Sequence, residues 1–354
     1  MKKLNVAIIG QGRSGRDIHG YYFRSENNTH YEVVAVVDQL EHRRKRAAEE
    51  YHCDVYEDYR ELFGREDIDL VVNSSYSCDH YPITLDLLNH GFNVVTEKPF
   101  AVHAADCDDM IRAAKENGVM LCVFQQSHFA PYYRKVREIV DSGVLGRLIE
   151  IKIQFSGWSR RWDWQCSQRF GGGCLRNTGP HPMEQALDLL DSDEMPTVAS
   201  RLDLVNSFGD AEDFAKVVMM LPGKPVIDVE ISSCNKHADF TYLIEGSQGS
   251  MKATMRHVNV QYMIPAEAPE QKLILDSLEG EDGTPRYCKE QLTWHEIDED
   301  IEGTAFDVGA VRYYENIYQH LTEGEPLVIR PEKIRQMVAV MEEVHRQNPF
   351  PVKY

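Results

Sequence analysis

The first third of the chain alternates short apolar runs with segments of helical period. The runs that this pattern marks as strands are residues 4–9, 31–37, a short run near 54, 68–74, 92–96 and 120–124. Helices are predicted between them at residues 41–51, 59–63, 82–90 and 104–117. Mostly apolar strands separated by helices are typical of a parallel sheet that is covered on both faces. The pattern therefore predicts an α/β fold with a doubly wound parallel sheet.

The alternation stops after Gln125. A helix is predicted at residues 132–142, and strand-like segments joined by polar turns follow at residues 148–155, 198–205, 214–221, 226–233 and 240–244. These segments predict an α+β domain with a large, mostly antiparallel open sheet. The acidic stretch 265–300 has no clear period, whereas residues 331–346 predict an amphipathic helix that can pack back on the first domain. We therefore predict two domains, residues 1–125 and 126–354.

A glycine pattern follows the first predicted strand. Gly10, Gly12 and Gly15 have the G-x-G-x-x-G spacing, and Arg13 and Ser14 lie between the last two glycines. In a dinucleotide-binding loop these glycines permit a tight turn, close approach of the backbone to a pyrophosphate, and close helix packing. The first amide groups of the helix then bind the anion. A plain glycine turn is the alternative when such a pattern stands alone.

The second predicted strand supplies a matching signal, because it ends in Asp38, 23 residues after Gly15. An acid at this position of a Rossmann fold binds the ribose hydroxyls. The same carboxylate repels a 2′-phosphate, so Asp38 favours NAD over NADP as the cofactor. Arg43 and Arg44 lie nearby, and either could meet a phosphate or cover the adenine, so NADP stays as the second choice.

An acid and a base follow the predicted strand 92–96. Glu97 and Lys98, with Pro99 after them, fall at the carboxyl end of a buried parallel strand. Ligands bind at that edge of an open α/β sheet, where a lysine can reach a substrate hydroxyl or carbonyl. The alternative is a solvated salt pair on a loop.

A second candidate for chemistry is His181, which precedes Pro182 at or near the N-cap of a predicted helix. The positive end of the helix dipole should keep the imidazole neutral and able to accept a proton, although a structural histidine is the alternative. Glu184 is expected to cap the first turn of this helix. Trp162 and Trp164 lie upstream, where their rings could stack on a sugar or fill a core.

These segments together resemble the Gfo/Idh/MocA family of oxidoreductases. The resemblance rests on the glycine pattern, on Asp38, on His80 after Ser74-Ser75 and above all on Glu97-Lys98-Pro99. It implies that Lys98 is the catalytic lysine, that Glu97 lies beside the cofactor, and that the Lys-Pro peptide is often cis. The further cofactor contacts that it implies are Ser74, Ser75, His80 and Gln126.

The resemblance extends to the second domain with one departure. The family's Asp-x-Gly-x-His stretch appears here as Asn177-Thr178-Gly179-Pro180-His181. By resemblance, Lys98, Asn177 and His181 form the catalytic set, with His181 as general base. An amide in place of the aspartate can orient a substrate hydroxyl, but it cannot hold a negative charge beside His181.

The predicted function is that of an NAD(P)-dependent oxidoreductase acting on a CH–OH group of a sugar, a polyol or a related cyclic compound. The substrate would be bound by Lys98, Trp162, Trp164, Asn177 and His181. A related alternative is glycoside cleavage by transient oxidation and elimination, in which NAD is regenerated. The missing aspartate suggests a third hypothesis, a non-catalytic dinucleotide-binding sensor.

The composition of the chain argues against several classes of binding partner. The 354 residues carry a formal net charge of −19, which repels nucleic acid and anionic lipid. The eight cysteines show neither paired nor metal-ligand spacing, so we predict reduced thiols and no metal site. No leader is visible at the amino terminus and no apolar run is long enough to cross a bilayer, which favours the cytoplasm.

Assembly is predicted from the second domain. Its sheet has no following helices to cover the outer face, and the apolar content of residues 217–221 and 226–231 suggests that both faces are occupied. We therefore expect a homo-oligomer, either a homo-dimer or a homo-tetramer, joined through these sheets.

Overall fold

A six-stranded parallel sheet forms the first layer of the computed structural model, which describes residues 3–354. Its strands are β1 (Leu4–Ile9), β2 (Tyr31–Val37), β3 (Asp54–Tyr56), β4 (Leu70–Asn73), β5 (Val94–Thr96) and β6 (Leu121–Val123). They lie in the order β3-β2-β1-β4-β5-β6. This is the doubly wound order of a dinucleotide-binding fold, and it confirms the α/β prediction. The order reverses between β1 and β4, so their carboxyl ends border a crevice.

Helices cover both faces of this sheet, which explains why its central strands are buried throughout. A π-helical segment, Arg13–His19, runs directly into the first helix. The helices are α1 (Gly20–Arg24), α2 (Glu41–Tyr51), α3 (His80–Asn89) and α4 (Ala104–Asn117). Short 3₁₀ turns follow at Tyr59–Leu62 and Ser77–Asp79.

The second half contains an eight-stranded sheet. Its strands are β7 (Leu148–Ser156), β8 (Thr197–Asp203), β9 (Phe214–Met220), β10 (Val226–Ser232), β11 (Tyr242–Gly246), β12 (Gly249–Ala253), β13 (His257–Tyr262) and β14 (His295–Asp300). They lie in the order β14-β13-β12-β11-β7-β10-β9-β8. Only the β7–β10 pair is parallel, so the predicted, mostly antiparallel open sheet is confirmed.

The helices of this half are α5 (Pro131–Asp141), α6 (Cys174–Asn177), α7 (Pro180–Leu190), α8 (Ala310–Glu323) and α9 (Pro331–Gln347). Shorter helical turns lie at Gln126–Phe129, Trp164–Cys166, Gln168–Phe170, Pro265–Glu267 and Ala305–Gly309. Helix α7 packs on the sheet at β7 and β10. No helix in residues 3–354 combines the length and the apolar character that a membrane span requires.

One face of the large sheet is buried, and the other face carries charged side chains. In β10 the side chains of Ile227, Val229 and Ile231 are buried, whereas Asp228 alternates with them on the outer face. There Lys216 of β9 pairs with Asp228 at 2.8 Å. The outer face is not only charged, because Val218 and Met220 of β9 alternate with the buried Val217 and Met219 and so lie on it. The expectation that both faces of the sheet are occupied therefore stays a prediction.

The last two helices return to the first sheet. In α8, the carbonyl oxygen of Tyr314 accepts a hydrogen bond from the Tyr31 hydroxyl on β2 at 2.7 Å. Helix α9 packs against α4 and β6 on one side and against β8 on the other. Arg335 of α9 pairs with Asp108 of α4 at 2.8 Å. The carboxyl-terminal helix thus packs against elements of the first half of the chain.

Candidate active site

The glycine loop lies between β1 and the first helical segment, and its three glycines have different surroundings. Gly10 has φ +88°, and a Cβ there would stand 2.5 Å from the carbonyl oxygen of Ser74. A Cβ on Gly15 would stand 1.9 Å from the carbonyl oxygen of Gly10. A Cβ on Gly12 would meet nothing nearer than Arg43 Nη1 at 3.9 Å. The loop is therefore closely packed around Gly10 and Gly15, whereas the space around Gly12 is open. A pyrophosphate-binding loop needs such an opening, because its backbone must approach the anion.

Asp38 ties the end of β2 to this loop. One carboxylate oxygen accepts a hydrogen bond from the Gln11 amide at 2.8 Å, and the other accepts one from the Leu40 amide at 2.9 Å. A carboxylate has about four lone-pair sites, so it can still accept from both hydroxyls of a ribose. The open loop and this carboxylate fit NAD.

The two arginines beside Asp38 differ. Arg44 donates to the main-chain oxygens of Asp38 and Gln39 at 2.7 and 2.9 Å and pairs with Glu57 at 3.1 Å. Arg43 makes only a longer approach to Asp38, 3.4 Å from Nη1 to Oδ2. Arg43 is thus the residue better placed to meet a phosphate or an adenine.

Glu97 is buried at the end of β5, against a residue from the first helical segment. Its Oε1 lies 3.2 Å from His19 Nε2, and its Oε2 accepts the amide hydrogen of Lys98 at 3.0 Å. Burial alone would raise the pKa of Glu97, but the contact with His19 and the charge of Lys98 outweigh it and lower the pKa to about 2. Glu97 is therefore a fixed negative charge beside Lys98.

Several other predicted cofactor residues lie around the same edge. Ser74 donates its hydroxyl to the carbonyl oxygen of Ile9 at 2.7 Å, beneath the glycine loop. His80 lies between two backbone oxygens, with Nδ1 2.7 Å from that of Pro99 and Nε2 3.3 Å from that of Ser75. The Lys98-Pro99 peptide is cis, as the resemblance implied. Gln126 is buried, Ser14 is half-buried, and Arg13 is exposed on the helix side of the loop.

Lys98 reaches across to the second half of the chain. Its Nζ donates to the main-chain carbonyl oxygen of Asn177, at the end of α6, at 2.9 Å. Burial lowers the pKa of Lys98; the charge of Glu97 opposes this shift, and the charges of Arg13 and Arg161 reinforce it. The lysine and residue 177 are thus brought together, but through the backbone of Asn177.

The side chain of Asn177 has a different partner. Its Oδ1 accepts a hydrogen bond from Gln165 Nε2 at 2.9 Å, and the oxygen of Gln165 contacts Arg161. With the amide oxygen held in this way, the amide NH₂ of Asn177 remains as a donor. The sequence contained no signal for this hydrogen bond, because Gln165 lies in a 3₁₀ turn and Asn177 lies 12 positions later, at the end of α6.

His181 is the second residue of α7, and Gly179 occupies the N-cap position. Burial and the charge of Lys98 lower its pKa to about 3, with Glu97 opposing. The predicted neutral imidazole is therefore supported, but burial rather than the helix dipole is the main cause. Its Nδ1 lies 2.9 Å from the hydroxyl oxygen of Ser127.

Glu184 does not cap the helix as expected. It is buried, and its Oε1 lies 2.8 Å from His128 Nδ1. Burial raises the pKa of Glu184 against the opposing charge of His128. The acid instead joins α7 to the turn Gln126–Phe129, which the sequence could not show because the two residues are 56 positions apart.

Trp162 and Trp164, which were predicted to bind the substrate, lie in the loop between β7 and α6. Trp164 packs edge-on against Tyr76, with ring centroids 4.9 Å apart, and Phe170 completes the group. Trp162 is 79% exposed. An exposed ring beside Arg161 is free to stack on a ligand, whereas Trp164 is already engaged in packing.

Two family models match the chain. Residues 4–125 match the family described as oxidoreductase family, NAD-binding Rossmann fold, and residues 133–252 match the C-terminal domain of the same family. A crevice with this glycine loop, the carboxylate of Asp38 and a lysine–histidine pair fits an NAD-binding oxidoreductase, an enzyme that acts on CH–OH groups. The chain belongs to the Gfo/Idh/MocA family.

Individual relatives and solved structures are similar over different lengths. The 2,7-anhydro-N-acetylneuraminate hydratase of Mediterraneibacter gnavus is 27% identical over 263 residues, which is 72% of this chain and 68% of that protein. The inositol 2-dehydrogenase of Salmonella typhimurium is 32% identical over 149 residues, 41% of this chain and 43% of that one. The WlbA dehydrogenase of Bordetella pertussis, solved in complex with NADH and UDP-GlcNAcA, has a TM-score of 0.76 at 17% identity, covering 98% of this chain and 96% of that chain. This last similarity shows the fold alone.

Proposed function

We propose that this enzyme oxidises a hydroxyl-bearing carbon of a sugar, polyol or related cyclic compound, with His181 as general base. NAD, when bound, accepts the hydride from that carbon. The observation that carries the proposal is the hydrogen bond from Lys98, in the cofactor half, to the carbonyl oxygen of Asn177 at the end of α6, four residues before His181. The name of the inositol dehydrogenase supports the substrate class.

The roles follow from charge and hydrogen-bonding capacity. Neutral His181 takes the proton of the substrate hydroxyl, and Lys98 donates a hydrogen bond to the oxygen as negative charge develops on it. Asn177 orients the hydroxyl through its amide NH₂, since its oxygen is bound to Gln165. Trp162 is proposed to stack on the ring of the substrate, and Trp164 to border it.

The test is NADH formation over a panel of neutral sugars, inositols and sugar acids, each with NAD and with NADP. Sugar acids belong in the panel because one relative is named for a neuraminate. Steady NADH formation with at least one compound is the expected result. A protein that binds NAD but reduces it with no member of the panel would contradict the proposal and favour the sensor.

A second candidate is cleavage by transient oxidation and elimination. It is favoured by the hydratase relatives, whose name describes a reaction without net redox change. Its signature is product formation from a glycoside or anhydro sugar with catalytic NAD and no accumulation of NADH. Stoichiometric NADH from the same compound would exclude it.

NAD(H) should bind more tightly than NADP(H), by roughly tenfold or more, the ratio that about 1.4 kcal/mol produces. The reason is repulsion between Asp38 and a 2′-phosphate, with Arg44 already bound to backbone oxygens and Glu57. Fluorescence titration of both cofactors measures it. As a matched pair, Arg43→Gln should weaken NADP(H) binding further, whereas Arg44→Gln should not. Tighter binding of NADP(H) to the unaltered protein would show that Arg43 outweighs the carboxylate.

The assembly, location and domain limits complete the proposal. A homo-dimer or homo-tetramer joined through the outer face of the large sheet is supported by apolar side chains exposed on that face, Met220 at 43% and Val226 at 37%. A monomeric mass by light scattering at micromolar concentration would refute it.

Eight free cysteines support a reducing cytoplasm, and the net charge of −19 argues against nucleic-acid and membrane partners. We place the domain boundary between residues 125 and 126.

A further inference from the structure

The orientation of His181 depends on one neighbouring turn. Its Nδ1 lies 2.9 Å from Ser127 Oγ, and Ser127 belongs to the 3₁₀ turn Gln126–Phe129 that follows β6. Ser127 is buried at 2% exposure, so its hydroxyl is not freely exchanging partners with water. A buried hydroxyl at hydrogen-bond distance from one ring nitrogen fixes the plane of the imidazole.

The turn is itself fixed to the helix that carries His181. The Ser127 carbonyl oxygen accepts from Gln185 Nε2 at 3.1 Å, and Gln185 Oε1 accepts from the Tyr242 hydroxyl of the large sheet at 2.6 Å. His128 contacts Glu184 at 2.8 Å. Since successive residues of the turn bind successive residues of α7, Ser127 cannot shift relative to His181 without breaking several buried bonds.

We propose that Ser127 is the positioning residue of His181: its hydroxyl accepts a hydrogen bond from Nδ1–H and so turns the unprotonated Nε2 toward the substrate. The inference rests on the proposed function, in which His181 takes the hydroxyl proton. In a neutral imidazole one nitrogen carries the hydrogen and the other accepts, and the partner of one nitrogen selects the tautomer. Ser127 thereby orients the imidazole in a site where Asn177 replaces the family's aspartate.

A hydroxyl partner differs from a carboxylate in one respect. A carboxylate both orients an imidazole and stabilises the imidazolium that forms, whereas a hydroxyl orients it without adding negative charge. Ser127 therefore adds no negative charge that would stabilise a protonated His181. This agrees with the lowered pKa of His181, which keeps the ring neutral.

The tautomer can be measured without a substrate. Protein labelled with ¹⁵N-histidine and saturated with NAD is compared by NMR with the His181→Ala protein, which identifies the signals of His181. We expect the unaltered protein to carry the hydrogen on Nδ1 and Ser127→Ala to lose this preference. A hydrogen on Nε2 in the unaltered protein would overturn the proposal, because Ser127 would then be the donor and the nitrogen facing the substrate could not accept a proton.

Kinetics with the fastest compound of the sugar and polyol panel supply the second measurement. Ser127→Ala and the near-isosteric Ser127→Cys should lower kcat by roughly 10-fold to 100-fold, as expected for a misplaced catalytic group. The KM and the affinity for NAD should stay near their original values, and Ser127→Thr, which keeps the hydroxyl, should restore most of kcat. The control is Ser200→Ala, which removes a hydroxyl bonded to Gln347 and Asn348 at a remote edge of the large sheet.

The outcomes separate this inference from the proposed function. If His181→Ala is inactive while Ser127→Ala and Ser127→Cys keep full kcat, Ser127 does not position the base, although the proposed base stands. Equal losses in Ser127→Cys and Ser127→Thr, accompanied by weaker NAD binding, would show a purely structural role and also overturn the inference. If His181→Ala is itself fully active, the assignment of the base fails first.

Discussion

Replacing Lys98 with methionine should lower kcat by roughly 100-fold to 10,000-fold, the range that a group acting directly on the reacting oxygen or its proton typically contributes. The substitution removes the ammonium that faces the end of α6, but it keeps most of the aliphatic side chain and leaves the glycine loop intact. The affinity for NAD should therefore change little. Stopped assays of turnover and fluorescence titration of NAD, made on the same preparations, provide the measurement.

The matched control is Lys135→Met. Lys135 lies on α5, where it pairs with Glu138 at 3.0 Å and with Glu299 at 2.8 Å. Its loss should leave kcat unchanged. His181→Ala should match the loss seen in Lys98→Met, since both side chains act on the same proton and oxygen. Near-normal turnover in either active-site variant would mean that the catalytic set inferred from the family does not apply to this chain.

The second large effect is expected at Gly15, where alanine should disrupt the glycine loop. A Cβ at this position would stand 1.9 Å from the carbonyl oxygen of Gly10 and 2.6 Å from Ser74 Oγ. The contact with Gly10 cannot relax without moving backbone, so the fold should lose about 1 to 3 kcal/mol of stability, as overpacked sites do. NAD binding should be lost with the shape of the loop. The thermal unfolding midpoint with and without NAD measures both effects.

Gly12→Ala makes the informative comparison. The nearest atom to its Cβ is 3.9 Å away, so the variant should unfold at the original temperature. It should nevertheless bind NAD more weakly, because the methyl group would stand where the backbone approaches the pyrophosphate. Gly157→Ala, whose Cβ would meet nothing within 4 Å, should alter neither quantity. Unchanged NAD binding in Gly12→Ala would place the pyrophosphate elsewhere.

The sequence was most informative where local chemistry decides structure. Helix α4 runs from Ala104 to Asn117, as predicted, because its apolar period ends at Gly118, which adopts the left-handed conformation at φ +66°. The strands of the first sheet were found because parallel strands covered on both faces are apolar throughout. The glycine loop and Asp38 were found because their spacing is fixed by the geometry of a single βαβ unit.

The remainder depends on contacts between distant parts of the chain. Strand β14 (His295–Asp300) is acidic and was not predicted, because it forms only by pairing with β13 at the edge of the large sheet. The partners of the site residues were hidden for the same reason. His19 meets Glu97, Ser127 meets His181, and Gln165 meets Asn177, and none of these pairs lies within one local motif.

The resemblance predicted the position of residue 177 but not the partner of its side chain. The family pattern placed this residue beside the lysine, and Lys98 does bind its carbonyl oxygen. The pattern could not show that the Asn177 amide would bind Gln165. Substitution of one acid by an amide changed the hydrogen-bonding preference of the side chain, and a glutamine from a neighbouring loop satisfies it.

The last two helices pack on the first sheet and so affect when the cofactor half of the chain can fold. Tyr314 of α8 accepts a hydrogen bond from Tyr31, and its hydroxyl lies 2.6 Å from His19 Nδ1. The thiol of Cys122 on β6 reaches the carbonyl oxygen of Ile329 at 3.5 Å. These contacts cannot form until residues 314 and 329 have left the ribosome. Although domains generally fold in order as they emerge, the cofactor half of this enzyme must wait for α8 and the segment before α9 to complete its core.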